Sequence, residues 1–342
     1  AQFHVFGVTT IIIALITYCL APIVSTQPSW FYVMVVVTVL LLTELKHTFT
    51  EFAQRMKNDE MITLAKFLAI SGIILPMLPH KNLIPDINLT PYSIWLATVV
   101  VSGISYLSYL LKRYVFHESG VLVSGIIGGL YSSTATISVL ARKSRKASAQ
   151  EANEYVAAML LAVSMMFLRF MILILIFSRE IFMSIYPYLL IMSVVAAVVA
   201  WFIHSRQRRS KDLPADSEEE DSSNPLEFKV ALIFATLFVI FTVLTHYTLV
   251  YAGTGGLNLL SFVSGLSDIT PFILNLLQNT GSVAVLVVVA CSMQAIISNI
   301  LVNMFYALFF AGKGSKLRPW ILGGFGTVIG VNLVLLLFFY FI

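Results

Sequence analysis

Two ionisable residues of opposite charge interrupt long apolar runs of this sequence. Asp268 lies in an otherwise uncharged run, and Arg169 lies inside the apolar segment 152–178. Ionisable side chains at membrane depth are costly and usually face a cavity, a charged partner or a transport path. Asp268 is therefore a candidate cation or proton site and a candidate metal ligand. Arg169 is a candidate partner for Asp268 or for an anionic substrate.

Both residues also have structural interpretations, which stay open at this point. An aspartate just before Thr270 and Pro271 is a good N-cap for a helix that begins there. Arg169 can instead form a structural ion pair, or donate to the carbonyls of a broken helix.

Hydroxyl and amide side chains form the second group of candidate site residues. Hydroxyl oxygens can replace part of an ion's hydration shell, and amides can coordinate cations or hydrogen-bond between helices. The sequence contains no GxSxG, HExxH or phosphate-binding glycine loop, so we expect a protein that is not an enzyme and uses no cofactor. The candidates for an ion pathway, besides Asp268 and Arg169, are Ser132, Ser133, Thr134, Thr136, Thr270, Asn299 and Asn303.

The composition requires a membrane environment. Hydrophobic residues make up 58% of the 342 residues and charged residues 11%, whereas a soluble domain carries roughly a quarter charged residues. We therefore expect an all-α, polytopic transmembrane helical bundle, located in the bacterial inner membrane. The apolar segments are 5–25, 30–46, 61–79, 91–111, 119–140, 152–178, 182–204, 228–252, 257–278, 282–311 and 319–342.

Composition also divides the chain into four parts. Residues 1–60 hold two apolar segments and a charged, amphipathic stretch that we expect in the cytoplasm. Residues 61–204 hold a first membrane repeat with the helix before it, and residues 227–342 hold a second repeat. Residues 205–226 begin basic and become acidic, which is typical of a disordered cytoplasmic linker.

The two repeats are visible as matching stretches. Gly120–Leu140 reads GVLVSGIIGGLYSSTATISVL and Gly256–Leu276 reads GLNLLSFVSGLSDITPFILNL, so that Gly129 falls opposite Gly265. Segments four to seven and eight to eleven are therefore interpreted as two copies of one unit. In the later helices we match Ala162 with Ala290, Ser164 with Ser292, Met165 with Met293, and Pro187 with Pro319.

Segments 119–140 and 257–278 differ from ordinary spans, since they are rich in glycine and hydroxyl residues. An interrupted backbone at membrane depth is tolerated only where it is buried in protein or lines a wet cavity. Basic residues flank 119–140 on both sides, and the positive-inside rule keeps both clusters in the cytoplasm if this segment re-enters. We therefore expect two re-entrant or broken helices and inverted repeats. The alternative is that small residues permit close helix packing.

Three stretches are characteristic of a known family: ELKH with FLAISGIILPMLP, IWLATVVVSGISYLSYLL, and GIIGGLYSSTATISVLARKSR. In them the chain resembles the MgtC/SapB family, specifically the C-terminal domain of unknown function of its longer members, over roughly residues 40–342. The first two segments look like the tail of an MgtC-type region. The resemblance implies a link to magnesium homeostasis and no established activity.

The resemblance also identifies two departures from the family pattern. The family places an acid where this chain has Thr270 and a lysine where it has Asn303. Because an acid and a base are replaced together, we hypothesise that Thr270 and Asn303 lie close to each other. A charge-dependent mechanism of the family would therefore not transfer directly to this chain.

These patterns favour a membrane ion transporter or channel with its site at the bilayer midplane, between the two re-entrant segments. A cation, including a divalent one such as magnesium, is favoured slightly. An anion transporter is the alternative, because half-helix N-termini and Arg169 attract negative charge. A non-transporting regulatory or scaffold protein, acting on a partner transporter or ATPase, is a further alternative. The expected partners are the lipid bilayer and a small inorganic ion, together with a second copy of the chain as a homodimer, and no nucleic acid.

Overall fold

The structure is a computed structural model of the chain. Contacts divide the chain into two units, Ala1–Ile62 and Thr63–Ile342. The amphipathic stretch expected before residue 60 and the linker 205–226 lie almost wholly outside the described residues. The structure describes residues 8–26, 28, 31–40, 58–85, 87–116, 120–145, 152–206, 228–278, 283–312 and 317–341.

The first unit contains two apolar helices, α1 (Val8–Thr26) and α2 (Phe31–Leu40). Helix α3 (Asn58–Ala69) begins in this unit. It continues into the second unit through a π-helical turn at Ile70–Ile74 to the short α4 (Leu75–Met77).

The second unit is a helical bundle, and the described part of the chain contains no β-strand. Eight of the described helices are long and apolar enough to cross a membrane. The expected all-α, polytopic membrane bundle is thus confirmed. Its helices are α5 (Pro91–Leu110, extended by a π-helical turn at Leu111–Val115), α6 (Val121–Lys143), α7 (Ala152–Phe177), α8 (Arg179–Ser205), α9 (Phe228–Ser264), α10 (Ile269–Gln278), α11 (Val285–Ala311) and α12 (Arg318–Phe341).

Helix α6 folds back on itself at Ser132. The extended backbone of this residue (φ −158°, ψ 107°) divides α6 into the halves 121–131 and 133–143. A Cβ built on Gly128 would lie 2.5 Å from Oγ1 of Thr136. Residues eight positions apart in a continuous helix are separated by about 12 Å, so the two halves must run antiparallel. We call residues 121–143 hairpin 1.

Helix α9 contains a sharp turn at Gly253 (φ 58°, ψ −152°). This positive φ favours glycine, which has no Cβ to clash with the backbone. A Cβ built on Gly256 would lie 2.8 Å from Cγ2 of Thr248, again eight positions away. Residues 254–264 therefore run back along the first part of α9.

A second helical hairpin follows this turn. The helix is interrupted at 265–268, and α10 then runs beside the first part of α9. There Nδ2 of Asn275 donates to Oγ1 of Thr242 at 2.6 Å, and the rings of Phe272 and Phe241 lie 5.7 Å apart. Because 254–264 is antiparallel to the first part of α9 and α10 is parallel to it, residues 254–278 form a hairpin, which we call hairpin 2.

Each hairpin packs its first half against the long helix that follows, at the same sequence separation. A Cβ built on Gly129 would lie 2.5 Å from Cα of Ala162. A Cβ built on Gly265 would lie 2.6 Å from Oγ of Ser298, which is also 33 residues further along the chain. Both contacts therefore join residues 33 positions apart, whereas the expected match of Ala162 with Ala290 stays a prediction.

The helix ends of the second unit gather at two opposite ends. At one of them, Arg145 donates to the backbone carbonyl of Phe310 and, at 3.2 Å, to that of Phe309, and so binds the end of α11. A Cβ built on Gly324 in α12 would lie 2.7 Å from Leu160 of α7 and 3.2 Å from Ile203 of α8. Thus α6, α8 and α11 end here, whereas α7 and α12 begin here.

The end just described carries most of the basic residues, and we call it the basic end. The opposite, far end is held by Gln278, whose Nε2 donates to the carbonyl of Ser93 at 3.5 Å, and by Tyr188 and Phe339, whose ring centroids lie 5.5 Å apart. Hairpin 1 enters from the basic end and hairpin 2 from the far end. The described basic residues at the basic end are Lys112, Arg113, Arg142, Lys143, Arg145, Arg206 and Arg318.

Candidate functional site

The tips of both hairpins meet at one cavity of about 380 Å³. A water molecule in the liquid occupies about 30 Å³, so the cavity has room for a small solute. Its lining residues from the tips lie at 131–134 and 266–270. The other lining residues are Val101, Ser102, Ser105, Gly129, Met166, Arg169, Phe170, Val230, Ile233, Phe234, Leu237, Asn299, Val302 and Tyr306.

The tip of hairpin 1 is stabilised by one neutral and one charged side chain. Oγ of Ser132 accepts a hydrogen bond from the backbone N–H of Ala135 at 3.3 Å and so caps the second half-helix. The first half-helix ends at Tyr131, where a carbonyl has lost its helical partner. Nη1 of Arg169, in α7, donates to this carbonyl at 2.8 Å.

The tip of hairpin 2 repeats this arrangement with different residues. Oδ1 of Asp268 accepts a hydrogen bond from the backbone N–H of Thr270 at 2.9 Å and caps α10. Nδ2 of Asn299, in α11, donates to the carbonyls of Gly265 at 3.3 Å and Ser267 at 3.4 Å. The structural interpretation of Asp268 as an N-cap is therefore confirmed, as is that of Arg169 as a donor at a broken helix.

The two caps and the two carbonyls occupy matching positions of the two hairpins. Ser132 and Asp268 are separated by 136 residues, and so are Tyr131 and Ser267 and the glycines Gly129 and Gly265. The backbone interruption thus falls at the same place in both hairpins. The side chains that cap it and donate to it differ in charge between the hairpins.

Arg169 and Asp268 bring one positive and one negative charge to the cavity wall. In the described part of the chain no salt bridge joins them, since Arg169 binds Tyr131 and Asp268 caps α10. Nε of Arg169 is buried and has no hydrogen-bond partner among the described residues. Both charges therefore keep bonding capacity for a bound solute.

The cavity extends from the middle of the bundle toward the basic end. Val302 and Tyr306 line it from the part of α11 that approaches this end. Val230, Phe234 and Leu237 line it from the start of α9, which reaches the far end only at its turn. The lining of the cavity thus continues from the two charges toward the basic end.

Most of the predicted site residues are brought together at this cavity, and two lie outside its lining. Thr136 packs against Gly128 inside hairpin 1. Asn303 is fully buried, and its Nδ2 donates to Oδ1 of Asn299 at 3.2 Å. The hypothesis that Asn303 lies close to Thr270 stays a prediction. The predicted residues that line the cavity are Ser132, Ser133, Thr134, Arg169, Asp268, Thr270 and Asn299.

Metal binding at Asp268 also stays a prediction. The described residues contain no group of three or more histidine, cysteine, aspartate or glutamate side chains that could hold a metal ion. One oxygen of Asp268 is already used for capping α10.

Several lining residues were missed by the sequence analysis. Ser102 and Ser105 in α5 are buried and lie on one helix face, three positions apart. Paired serines at helical spacing in an apolar segment are a signal that could have found them. Tyr306 gives no comparable signal, because it lies among other aromatic residues near the end of α11.

The chain matches a family described as Domain of unknown function (DUF4010) over residues 99–311. The chain belongs to this family. All lining residues of the cavity fall inside the DUF4010 domain, which ends at Ala311, the last residue of α11.

A protein of Aquifex aeolicus is similar in sequence to this DUF4010 protein. An uncharacterized protein of Aquifex aeolicus (strain VF5) is 26% identical over 220 residues, which cover 64% of this chain and 94% of the relative. No solved structure matches the chain. The expected domain of unknown function is thus confirmed, whereas the wider assignment to MgtC/SapB proteins stays a prediction.

Proposed function

We propose that this protein is a membrane transporter that carries a small charged solute through the cavity between hairpins 1 and 2. The observation that carries the proposal is the meeting of two interrupted helices at one cavity with opposite charges on its wall. Non-helical backbone at membrane depth is stable only when it is buried or lines a cavity. Transporters use such interruptions to present helix ends to a solute.

We infer that the two halves of the bundle are inverted repeats. Hairpin 1 has both of its ends at the basic end, and hairpin 2 has both at the far end. Helix α7 begins at the basic end, whereas α11, which occupies the matching position, ends there. This arrangement supports three crossings and one re-entrant hairpin per repeat, and it would permit alternating access by rocking of one repeat against the other.

The basic end is inferred to face the cytoplasm, because cytoplasmic loops carry an excess of lysine and arginine. We therefore assign the cavity, which extends toward this end, to an inward-facing state. The bacterial inner membrane is the proposed location.

The wall of the cavity favours a solute other than a bare divalent cation, which the sequence analysis had favoured slightly. Asp268 is its one lining carboxylate, and the guanidinium of Arg169 would repel a cation bound there. The link to magnesium homeostasis implied by the MgtC/SapB resemblance is kept as a hypothesis, and a Mg²⁺ measurement belongs in the transport assay.

Cysteine accessibility tests the proposed cavity directly. In full-length protein with Cys19 and Cys291 replaced by serine, Thr134→Cys should react with a membrane-impermeant thiol reagent added at the basic end. The matched control is Ser164→Cys, because Ser164 is buried between α7 and α8, where it hydrogen-bonds to Ser193. This control should not react.

Proteoliposome flux measurements test transport itself. Uptake of labelled Mg²⁺, Na⁺, K⁺, chloride and a set of amino acids and carboxylates would be measured, because movement of a solute without net charge produces no current. If the protein is instead a regulator or scaffold, Thr134→Cys should be protected and no solute should be taken up. That joint result would overturn the transport proposal.

A further inference from the structure

We propose that the solute of this site is a small zwitterion, an organic molecule with a carboxylate, an ammonium group and a short apolar tail. This inference rests on the proposed transport function. It follows from three different surfaces on the wall of one cavity: a cationic one, an anionic one and an apolar one.

The cationic surface lies at Arg169. Only Nη1 of this guanidinium is engaged, by the carbonyl of Tyr131, and the buried Nε has no partner among the described residues. Arginine presents planar, paired donors that match the two oxygens of a carboxylate. The half-helices that begin at Ser133 and Ile269 also direct the positive ends of their dipoles at the cavity. A carboxylate is thus better matched here than a single-point anion.

The anionic surface lies at Asp268. This residue is exposed at the cavity, and only its Oδ1 is used by the backbone of Thr270. The remaining carboxylate oxygen can accept a hydrogen bond from an ammonium group. Asp268 and Arg169 line the same cavity and have different hydrogen-bond partners, so a solute that carries both charges can satisfy both groups at once.

The apolar surface lies on α9. Val230, Ile233, Phe234 and Leu237 occur at helical spacing i, i+3, i+4 and i+7, and all four line the cavity. A bare inorganic ion gains nothing from such a wall, whereas an alkyl tail is removed from water against it. The size of the cavity, about 380 Å³, also lies in the range of small-molecule sites.

Binding to matched probes tests this inference on the purified full-length chain in lipid nanodiscs. Isothermal titration would compare L-leucine with 4-methylpentanoate, which lacks the ammonium group, and with 3-methylbutylamine, which lacks the carboxylate. L-alanine and L-valine vary the tail, and MgCl₂ supplies the metal alone. We expect at least one of the amino acids to bind about tenfold or more tightly than the single-charge analogues, which is a difference of about 1.4 kcal/mol.

Variants at the two caps change the charge of the cavity wall while keeping a side chain that can cap the half-helix. Asp268→Asn keeps an N-cap of similar strength and should reduce amino-acid affinity to that of 4-methylpentanoate. Ser132→Asp adds a second negative charge at the matching position and should weaken binding of the carboxylate about tenfold. Ser132→Asn is its matched control, because it caps without a charge, and it should weaken binding of the carboxylate less than Ser132→Asp does.

The outcomes distinguish this inference from the proposed function. If no amino acid binds more tightly than its single-charge analogues, or if Asp268→Asn leaves their ratio unchanged, the zwitterion inference is wrong. Uptake of Mg²⁺ or of 4-methylpentanoate in that case would leave transport standing with another solute class. A Thr134→Cys that is protected, with no uptake of any solute, would overturn both.

Discussion

Hairpins 1 and 2 each place the end of one half-helix and the start of another at the centre of the bundle, at positions that match between the two hairpins. In hairpin 1 the cap is the neutral Ser132, and the donor to the freed carbonyl is the cationic Arg169. In hairpin 2 the cap is the anionic Asp268, and the donor is the neutral Asn299. The backbone arrangement is thus duplicated, while the charge of the cap and of the donor is exchanged.

This difference indicates that the hydrogen bonds at the tips serve the fold, whereas the charges at the tips serve the preference for a solute. The fold needs a cap and a carbonyl partner at each tip, and neutral side chains are sufficient for both tasks, as Ser132 and Asn299 show. In each hairpin either the cap or the donor is charged, and that charge adds no hydrogen bond that a neutral residue could not make. It gives the cavity one positive and one negative wall, which we relate to binding.

The largest expected effect on stability concerns the close packing of both hairpins against the long helices that follow them. In Gly129→Ala the new Cβ would lie 2.5 Å from the backbone of Ala162, and in Gly265→Ala it would lie 2.6 Å from the carbonyl oxygen of Ala295. Because backbone atoms must move, we expect each variant to lose about 3 kcal/mol or more. Thermal unfolding in detergent measures this loss.

The control for this pair is Gly326→Ala in α12, where no atom lies within 4 Å of the added Cβ. This variant should be as stable as the native protein or more stable, by up to about 1 kcal/mol, because alanine favours the helix. If only one of the two hairpin glycines is sensitive, the hairpins do not pack equivalently.

The next largest effect on stability concerns Arg169 and Asn299, which donate to carbonyls that have lost their helical partners. Arg169→Met leaves the carbonyl of Tyr131 without its 2.8 Å hydrogen bond, and we expect a loss of about 1–3 kcal/mol. Asn299→Leu removes two longer hydrogen bonds to carbonyls, at 3.3 and 3.4 Å, together with the one that Asn299 accepts from the buried Asn303 at 3.2 Å, and should also cost about 1–3 kcal/mol. Unfolding midpoints of both variants should therefore lie below that of the native protein.

A conservative variant separates the hydrogen bond of Arg169 from its packing. Arg169→Lys keeps a donor and a positive charge, so it should recover part of the stability lost in Arg169→Met. Equal destabilisation by the lysine and methionine variants would show that the bond to Tyr131 does not contribute.

The smallest effect concerns the caps. Ser132→Ala and Asp268→Ala should each lose about 1 kcal/mol. Asp268→Ala should be the more damaging, because its capping bond is shorter and its charge favours the N-terminus of α10. Asp268→Asn should keep native stability within a few tenths of a kcal/mol, as measured by the same unfolding assay. A large loss in this variant would assign a structural role to the charge itself.

The interruption of two segments could be predicted from the sequence, but the residue at which each one breaks could not. Glycine and hydroxyl residues along 119–140 and 257–278 indicated a broken backbone, because such residues leave helices easily. At Ser132 the break is a single extended residue in a run of similar residues. At Gly253 the turn joins two apolar segments, and the apolar runs in the sequence place the boundary between these segments only approximately.

The chemistry at the tips was harder to predict, because it depends on contacts distant in sequence. Arg169 and Asp268 were found because charges are rare in apolar runs. That Arg169 binds the carbonyl of Tyr131, 38 residues earlier, follows only from the packing of α7 on hairpin 1. Asn303 has the same residue type as Asn299 one turn earlier, yet it is buried against that residue and does not line the cavity.

The central claim is that hairpin 1 enters and leaves at the basic end, and the side of its two flanks tests this most directly. In protein with Cys19 and Cys291 replaced by serine, an impermeant thiol reagent would be applied to either face of oriented vesicles carrying Lys112→Cys, Lys143→Cys or Lys81→Cys. The account predicts that the cysteines at 112 and 143 react from one face and the cysteine at 81 from the other. Reaction at 112 and 143 from opposite faces would show that α6 crosses the membrane and would contradict the account.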